Sequence, residues 1–228
     1  MPSMRIKPLI GRTRIEAFAA AAAFLLALPL TAGAFEFGSG IERTETRMPG
    51  KFTKIEASGS TILDVTAGHS ATLVVVSGDD NIVPLVRTTV VGDVLKIKTE
   101  GRHSTKLPLV VKVTMPKLVA IAASGASKIS AANLSGERFK LEGSGSTKAT
   151  VGGAVETLVI SLSGAGQVDA AALAAKNAEI DTSGAGKVDI NASDKLQVSI
   201  SGAGIVTYLG NPVVSRSISG AGKIIAKK

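Results

Sequence analysis

The chain has 228 residues, a formal net charge of +8, no cysteine, no tryptophan and one tyrosine. Without cysteine there are no disulfides and no thiolate metal sites, so packing and hydrogen bonds must hold the fold together. The positive charges are scattered rather than gathered in a stripe, and aromatic residues are few, which argues against nucleic acid as a partner.

Residues 1–34 read as a secretory signal peptide. Arg5, Lys7, Arg12 and Arg14 precede an apolar run from Ala17 to Leu30, and Ala32-Gly33-Ala34 supplies a small-x-small cleavage site. The run falls short of the roughly 20 apolar residues needed to cross a bilayer. Cleavage would remove four cations and Glu16, lowering the net charge from +8 to +5. No second apolar segment approaches membrane length, so the expected mature protein is exported, to the periplasm, cell surface or exterior, and has no membrane span.

Residues 35–116 read as N-terminal strands followed by an antiparallel cap. A first marker, Ser58-Gly-Ser-Thr61, is followed by stretches rich in Val, Leu, Ile and Thr at 71–77, 82–91, 94–99 and 107–114. Gly78-Asp79-Asp80, Gly92-Asp93 and Gly101-Arg102 separate them as turns, and Val91-Gly92-Asp93-Val94 has the form of a two-residue hairpin connection.

Residues 117–228 are repetitive. Ser-Gly-Ala-Gly or a close variant begins at Ser124, Ser144, Ser163, Ser183, Ser201 and Ser219, with spacings of 20, 19, 20, 18 and 18 residues. On either side of each marker the pattern alternates with the period of two that belongs to strands. Five residues after each serine stand Leu63, Ile129, Ala149, Val168, Val188, Val206 and Ile224. Three before it stand Ile55, Ile121, Leu141, Ile160, Ile180, Val198 and, breaking the row, Arg216. One unit of strand, glycine corner, strand and loop return cannot bury its apolar side alone, whereas stacked units bury it continuously. The expected fold is therefore all-β: a parallel β-helix, or solenoid, of about 18–20-residue coils with an N-terminal antiparallel β subdomain. Its corners are glycine because they need positive φ or close backbone approach.

The segment Phe52-Thr-Lys-Ile-Glu-Ala-Ser-Gly-Ser60, the hairpin region, the lead-in Met115-Pro-Lys-Leu118 and the serial markers together resemble the GIN domain, described as an autotransporter adhesin head. The resemblance runs from about Phe37 to Lys228. It implies a β-helix-like domain with no established enzymatic activity.

The chemical inventory is sparse. His69 and His103 stand in glycine- or charge-rich turns and read as solvated loop residues. No serine sits in a Gly-x-Ser-x-Gly elbow. Asp169 and Asp189 both lie six residues after a marker serine, so stacking places them one rung apart, with Lys187 and Gln167 beside them and Lys148 one copy earlier. These five residues form the candidate ligand-contacting outer face. Neighbouring carboxylates on such a wall can hold Ca²⁺ or serve sugar chemistry, but Lys187 also makes them a compensated charge ladder. The expected function is non-enzymatic and cofactor-free: an adhesin-like module that meets a glycan or another protein through its polar outer face. A β-helix polysaccharide lyase or hydrolase, and a purely structural module assembling end to end through its last rung, are the alternatives.

Overall fold

A computed structural model describes residues 35–227, and the expected signal peptide lies outside the described residues. Strands β1 (Glu36–Phe37) and β2 (Glu42–Arg47) lead to β3 (Lys54–Ser58) and β4 (Ile62–Thr66), which flank the first marker. Then come β5 (Leu73–Asp79), a 3₁₀ turn (Val83–Leu85), β6 (Val86–Val91), β7 (Val94–Thr99), β8 (His103–Ser104) and β9 (Val110–Thr114). The repeats supply β10 (Ala120–Gly125), β11 (Lys128–Gly145), β12 (Lys148–Gly164), β13 (Gln167–Gly184), β14 (Lys187–Gly202), β15 (Ile205–Leu209), β16 (Val213–Gly220) and β17 (Lys223–Ala226).

The copies lie over one another in parallel register. Ser58, Ser124, Ser144, Ser163, Ser183, Ser201 and Ser219 are successive pairing partners. One side of the stack is formed by the segments that enter each marker and another by those that leave it, all within one continuous sheet. Side chains on the inner faces make one continuous core: Leu63, Val168, Val188 and Val206 are fully buried, as are Ile121, Leu141 and Ile160. Each such aliphatic side chain contributes about 1.5–3 kcal/mol by leaving water. The rows end at the last copy, where Ile224 is half-buried and Arg216 and Ala226 are exposed.

Two expectations about the coil need correction. The return between copies is not a loop, because β11 to β14 run on as continuous strands from one side of the stack to the next. They bend where the register shifts, as between Ala131 and Leu134, next to Asn133 at φ 59°. Leu134, Val155, Leu173 and Ala192 point inward from this third side and close the core. The two marker glycines also have different causes. The one after the serine takes positive φ in every copy, and a Cβ on Gly184 would lie 2.5 Å from the Gly164 carbonyl oxygen. The one at the fourth position makes room for a side chain. A Cβ on Gly204 would lie 2.7 Å from Thr182 Oγ1 and 3.1 Å from Ile200 Cγ2. In the earlier copies Thr61, Ser127 and Thr147 fill this place, and the residues before the serine are the small Ala57, Ala123 and Gly143.

The region 66–116 is only partly antiparallel. The hairpin of β6 and β7 turns at Gly92, with Val91 opposite Val94, as the sequence predicts. β7, however, runs parallel to β3, and β9 parallel to β4, so together they form one more rung beneath the first marker. Only β6, β5 and β2 are antiparallel, and they flank that rung. Asp79, expected in a turn, is fully buried at the end of β5. Its Oδ1 accepts the Gly40 N–H at 2.7 Å, and its Oδ2 accepts those of Lys106 at 2.9 Å and Leu107 at 3.1 Å. Burial pushes its pKa up, but the backbone donors of Leu107, Gly40 and Lys106 and the Lys106 charge outweigh this and hold the carboxyl below its ordinary value.

Candidate binding surface

The leaving strands place the expected outer-face residues on one wall. Lys128, Lys148, Gln167 and Lys187 are successive register partners, as are Thr150, Asp169 and Asp189. Rungs about 4.8 Å apart therefore bring all five candidates into one patch. Lys148, Gln167, Asp169 and Lys187 are exposed and Asp189 is half-buried. Lys187 Nζ stands 3.7 Å from Asp189 Oδ2, and Asp169 Oδ1 accepts the Ala171 N–H at 3.1 Å. Each aspartate has its own local partner, so the pair does not converge on a common point. Among the described residues no three His, Cys, Asp or Glu side chains gather as a metal site.

Around the serine corner, on the entering strands, the structure adds a shallow groove of about 460 Å³. Ser124, Ser144, Ser163 and Ser183 form one side of it. The other side is the row Glu56, Ala122, Glu142, Ser161 and Asp181, register partners in that order. Long acidic side chains thus alternate with short ones, and carboxylates recur every second rung, about 10 Å apart. Glu56 Oε2 lies 3.5 Å from Lys96 Nζ, and Glu142 Oε1 lies 2.7 Å from Lys140 Nζ. These pairs are exposed and hence weak. Ala123 and Leu162, buried in the core, back the groove from the inside. The corner ridge therefore separates a lysine ladder from a row bearing acids and serines, both running along the solenoid axis.

The residue types of this second row are plain in the sequence, but its concavity arises only once the copies are stacked, because the hollow is made by short side chains from different rungs. A larger hollow, about 590 Å³, lies around Met48, Phe52, Pro116 and Lys117, where the N-terminal region meets the repeats. The histidines divide. His69 is exposed, as expected, whereas His103 is half-buried in β8, paired with Glu36 of β1, with Nδ1 buried and unpartnered. His103 is therefore not a solvated loop residue, because β1 folds back over it.

A family profile described as "Putative auto-transporter adhesin, head GIN domain" matches residues 51–212. No curated protein matches the chain. A crystal structure of a "putative adhesin" from Bacteroides fragilis superposes with a TM-score of 0.67 at 22% identity, covering 84% of this chain and 99% of that one. A "putative lipid binding protein" from Parabacteroides distasonis gives 0.57 at 20% identity, with 86% and 100% covered. A "putative adhesin" from Parabacteroides merdae gives 0.53 at 19%, with 85% and 99% covered. At these identities the likeness is one of fold.

Proposed function

The chain belongs to the GIN-domain family, and from that premise we propose that it is an exported, non-enzymatic binding module holding an elongated ligand, a glycan or an extended protein segment, against the outside of its solenoid. The observation that carries this reading is the axial groove with its serine hydroxyls and regularly spaced carboxylates. A repeating wall suits a repeating or extended ligand, since the same contact can be made at every rung or every second rung. Hydroxyls and carboxylates orient a polar ligand, and the short Ala122 between Glu56 and Glu142 leaves room for it. The ladder of Lys148, Gln167, Asp169, Lys187 and Asp189 lies beyond the ridge as a second polar strip, able to meet the flank of a large ligand.

A lyase or hydrolase needs acid and base groups converging on one bond. Asp169 and Asp189 instead lie side by side on an open wall, each with its own local partner.

The test is a glycan array together with pull-downs from host and bacterial surface extracts, using residues 35–228. Ser163→Trp should fill the groove and abolish capture with the circular dichroism unchanged, while Lys148→Ala with Lys187→Ala should weaken it several-fold at low salt. A captured ligand indifferent to Ser163→Trp would overturn the reading. So would turnover of a uronic acid polymer that depends on Asp189.

A further inference from the structure

The last rung is unlike the rest. β16 pairs only with β14, and β17 only with β15, so among the described residues each leaves one edge of backbone N–H and C=O groups unpaired. The residues of this rung that continue the inner faces are half-buried or exposed: Val214, Arg216 and Ile218 on β16, and Ile224 and Ala226 on β17. Arg216 stands where the six earlier copies have Ile, Leu or Val, with Val214 and Ile218 two residues to either side and therefore on the same face. Lys223 and Lys227, both exposed, add positive charge.

We propose that this open rung is a docking edge for a β-strand of another protein, and that the strand it selects carries an acidic residue between two apolar ones at alternate positions. A strand adding to β16 would lay three side chains of one face over Val214, Arg216 and Ile218. The outer two gain by covering aliphatic surface. The middle one must answer a guanidinium that the added strand takes out of water, and an unpaired buried charge there is costly, so a carboxylate fits and an aliphatic or basic residue does not. Backbone pairing supplies affinity and the side-chain row supplies selectivity, as in other strand additions.

Charge also argues against a second copy as the occupant. Two-fold pairing of β16 with itself would bring two Arg216 side chains together across the seam, and like charges on facing strands repel. Head-to-tail stacking would set the cationic last rung against β6 and β2, which lie outside the repeat register and are bridged by Arg47 donating to the carbonyls of Val83 and Val86.

The experiment uses residues 35–228 and two fluorescent peptides, Thr-Val-Thr-Glu-Thr-Val-Thr and its Lys analogue, followed by polarisation, with sedimentation run in parallel. The glutamate peptide should bind roughly five- to tenfold more tightly than the lysine peptide at low salt, with the gap closing as salt is added. Arg216→Glu, at an exposed site that leaves the stack folded, should reverse the order. Binding of neither peptide, together with self-association of Arg216→Val where the unaltered chain stays monomeric, would show that Arg216 serves only to block edge pairing, and the proposal would fall. Equal binding of both peptides, unmoved by Arg216→Glu, would overturn it as well.

Discussion

The first and last rungs of the stack meet the same physical problem and treat it differently. A parallel solenoid must end somewhere, and its terminal strands then expose unpaired backbone and the rim of the core. At the N-terminal end the rung of β7 and β9 is flanked by antiparallel β6, β5 and β2, the outermost having the alternating charged sequence Glu-Arg-Thr-Glu-Thr-Arg. Arg47 crosses to the carbonyls of Val83 and Val86, and Asp79 gathers three backbone N–H groups that fasten the segment before β2. At the C-terminal end nothing comparable covers β16 and β17 among the described residues, and the core row finishes in a cation. The difference teaches that a repeat specifies its interior but not its ends. Each end must be written separately, and here one finishes in added strands braced by Arg47 and Asp79 while the other finishes in its last copy with a charge in the core row.

The sharpest way to break this comparison is to exchange its signature residues. Val198→Arg places in the buried interior the residue that the next copy carries at the open end. It should cost more than about 4 kcal/mol and yield no folded protein, whereas Arg216→Val should remain folded with an equal or higher melting temperature. If Val198→Arg were tolerated, the row would not be interior.

Next in size are the corner glycines. Gly184 and Gly59 both have positive φ, but a Cβ on Gly184 would strike the preceding rung while one on Gly59 would meet nothing within 4 Å. Gly184→Ala should therefore lose about 3 kcal/mol or more in urea titration, and Gly59→Ala only about 1, the backbone strain alone.

At the N-terminal end Asp79→Asn removes the acceptor that serves three backbone donors and should lower the urea midpoint clearly, though by less than the core exchange. Because the Asp79 pKa lies below its ordinary value of 3.8, its contribution is fully present above that value and fades as pH falls through the lowered one. The unaltered protein should thus lose stability on acidification below about pH 4, and Asp79→Asn should show a shallower acid limb. Arg47→Ala should also have a small effect, about 1–2 kcal/mol, from loss of its contacts to two backbone carbonyls and to Glu45 at 2.6 Å.

Much of this was legible beforehand because the repeat supplies its own register. Aligning seven serines was enough to place Val168, Val188 and Val206 in the core and to mark Arg216 as the exception. The hairpin at Gly92 was readable from its turn residues. Less legible was anything that depends on chain segments far apart in sequence. That β7 and β9 form a rung beneath β3 and β4 reverses chain order against stacking order, and no periodicity announces it. Asp79 looked like a turn residue because Gly-Asp-Asp is turn chemistry, and only the return of residues 38–40 and 106–107 to its side chain makes it a buried pin. That Lys148, Gln167, Asp169, Lys187 and Asp189 share one wall follows from the repeat spacing, while the groove beside it has no such signal because its hollow is the absence of side-chain bulk at positions brought together by stacking.

Residue-resolved amide hydrogen exchange under native conditions tests the central claim, a stack braced by added strands at one end and finishing on its last repeat at the other. Amides of Val76, Val111, Val168 and Val188 should exchange only through global unfolding, while those of β16 and β17 exchange orders of magnitude faster through local opening. Equal protection of β16 and β13, or earliest exchange in β2, β5 and β6, would contradict it.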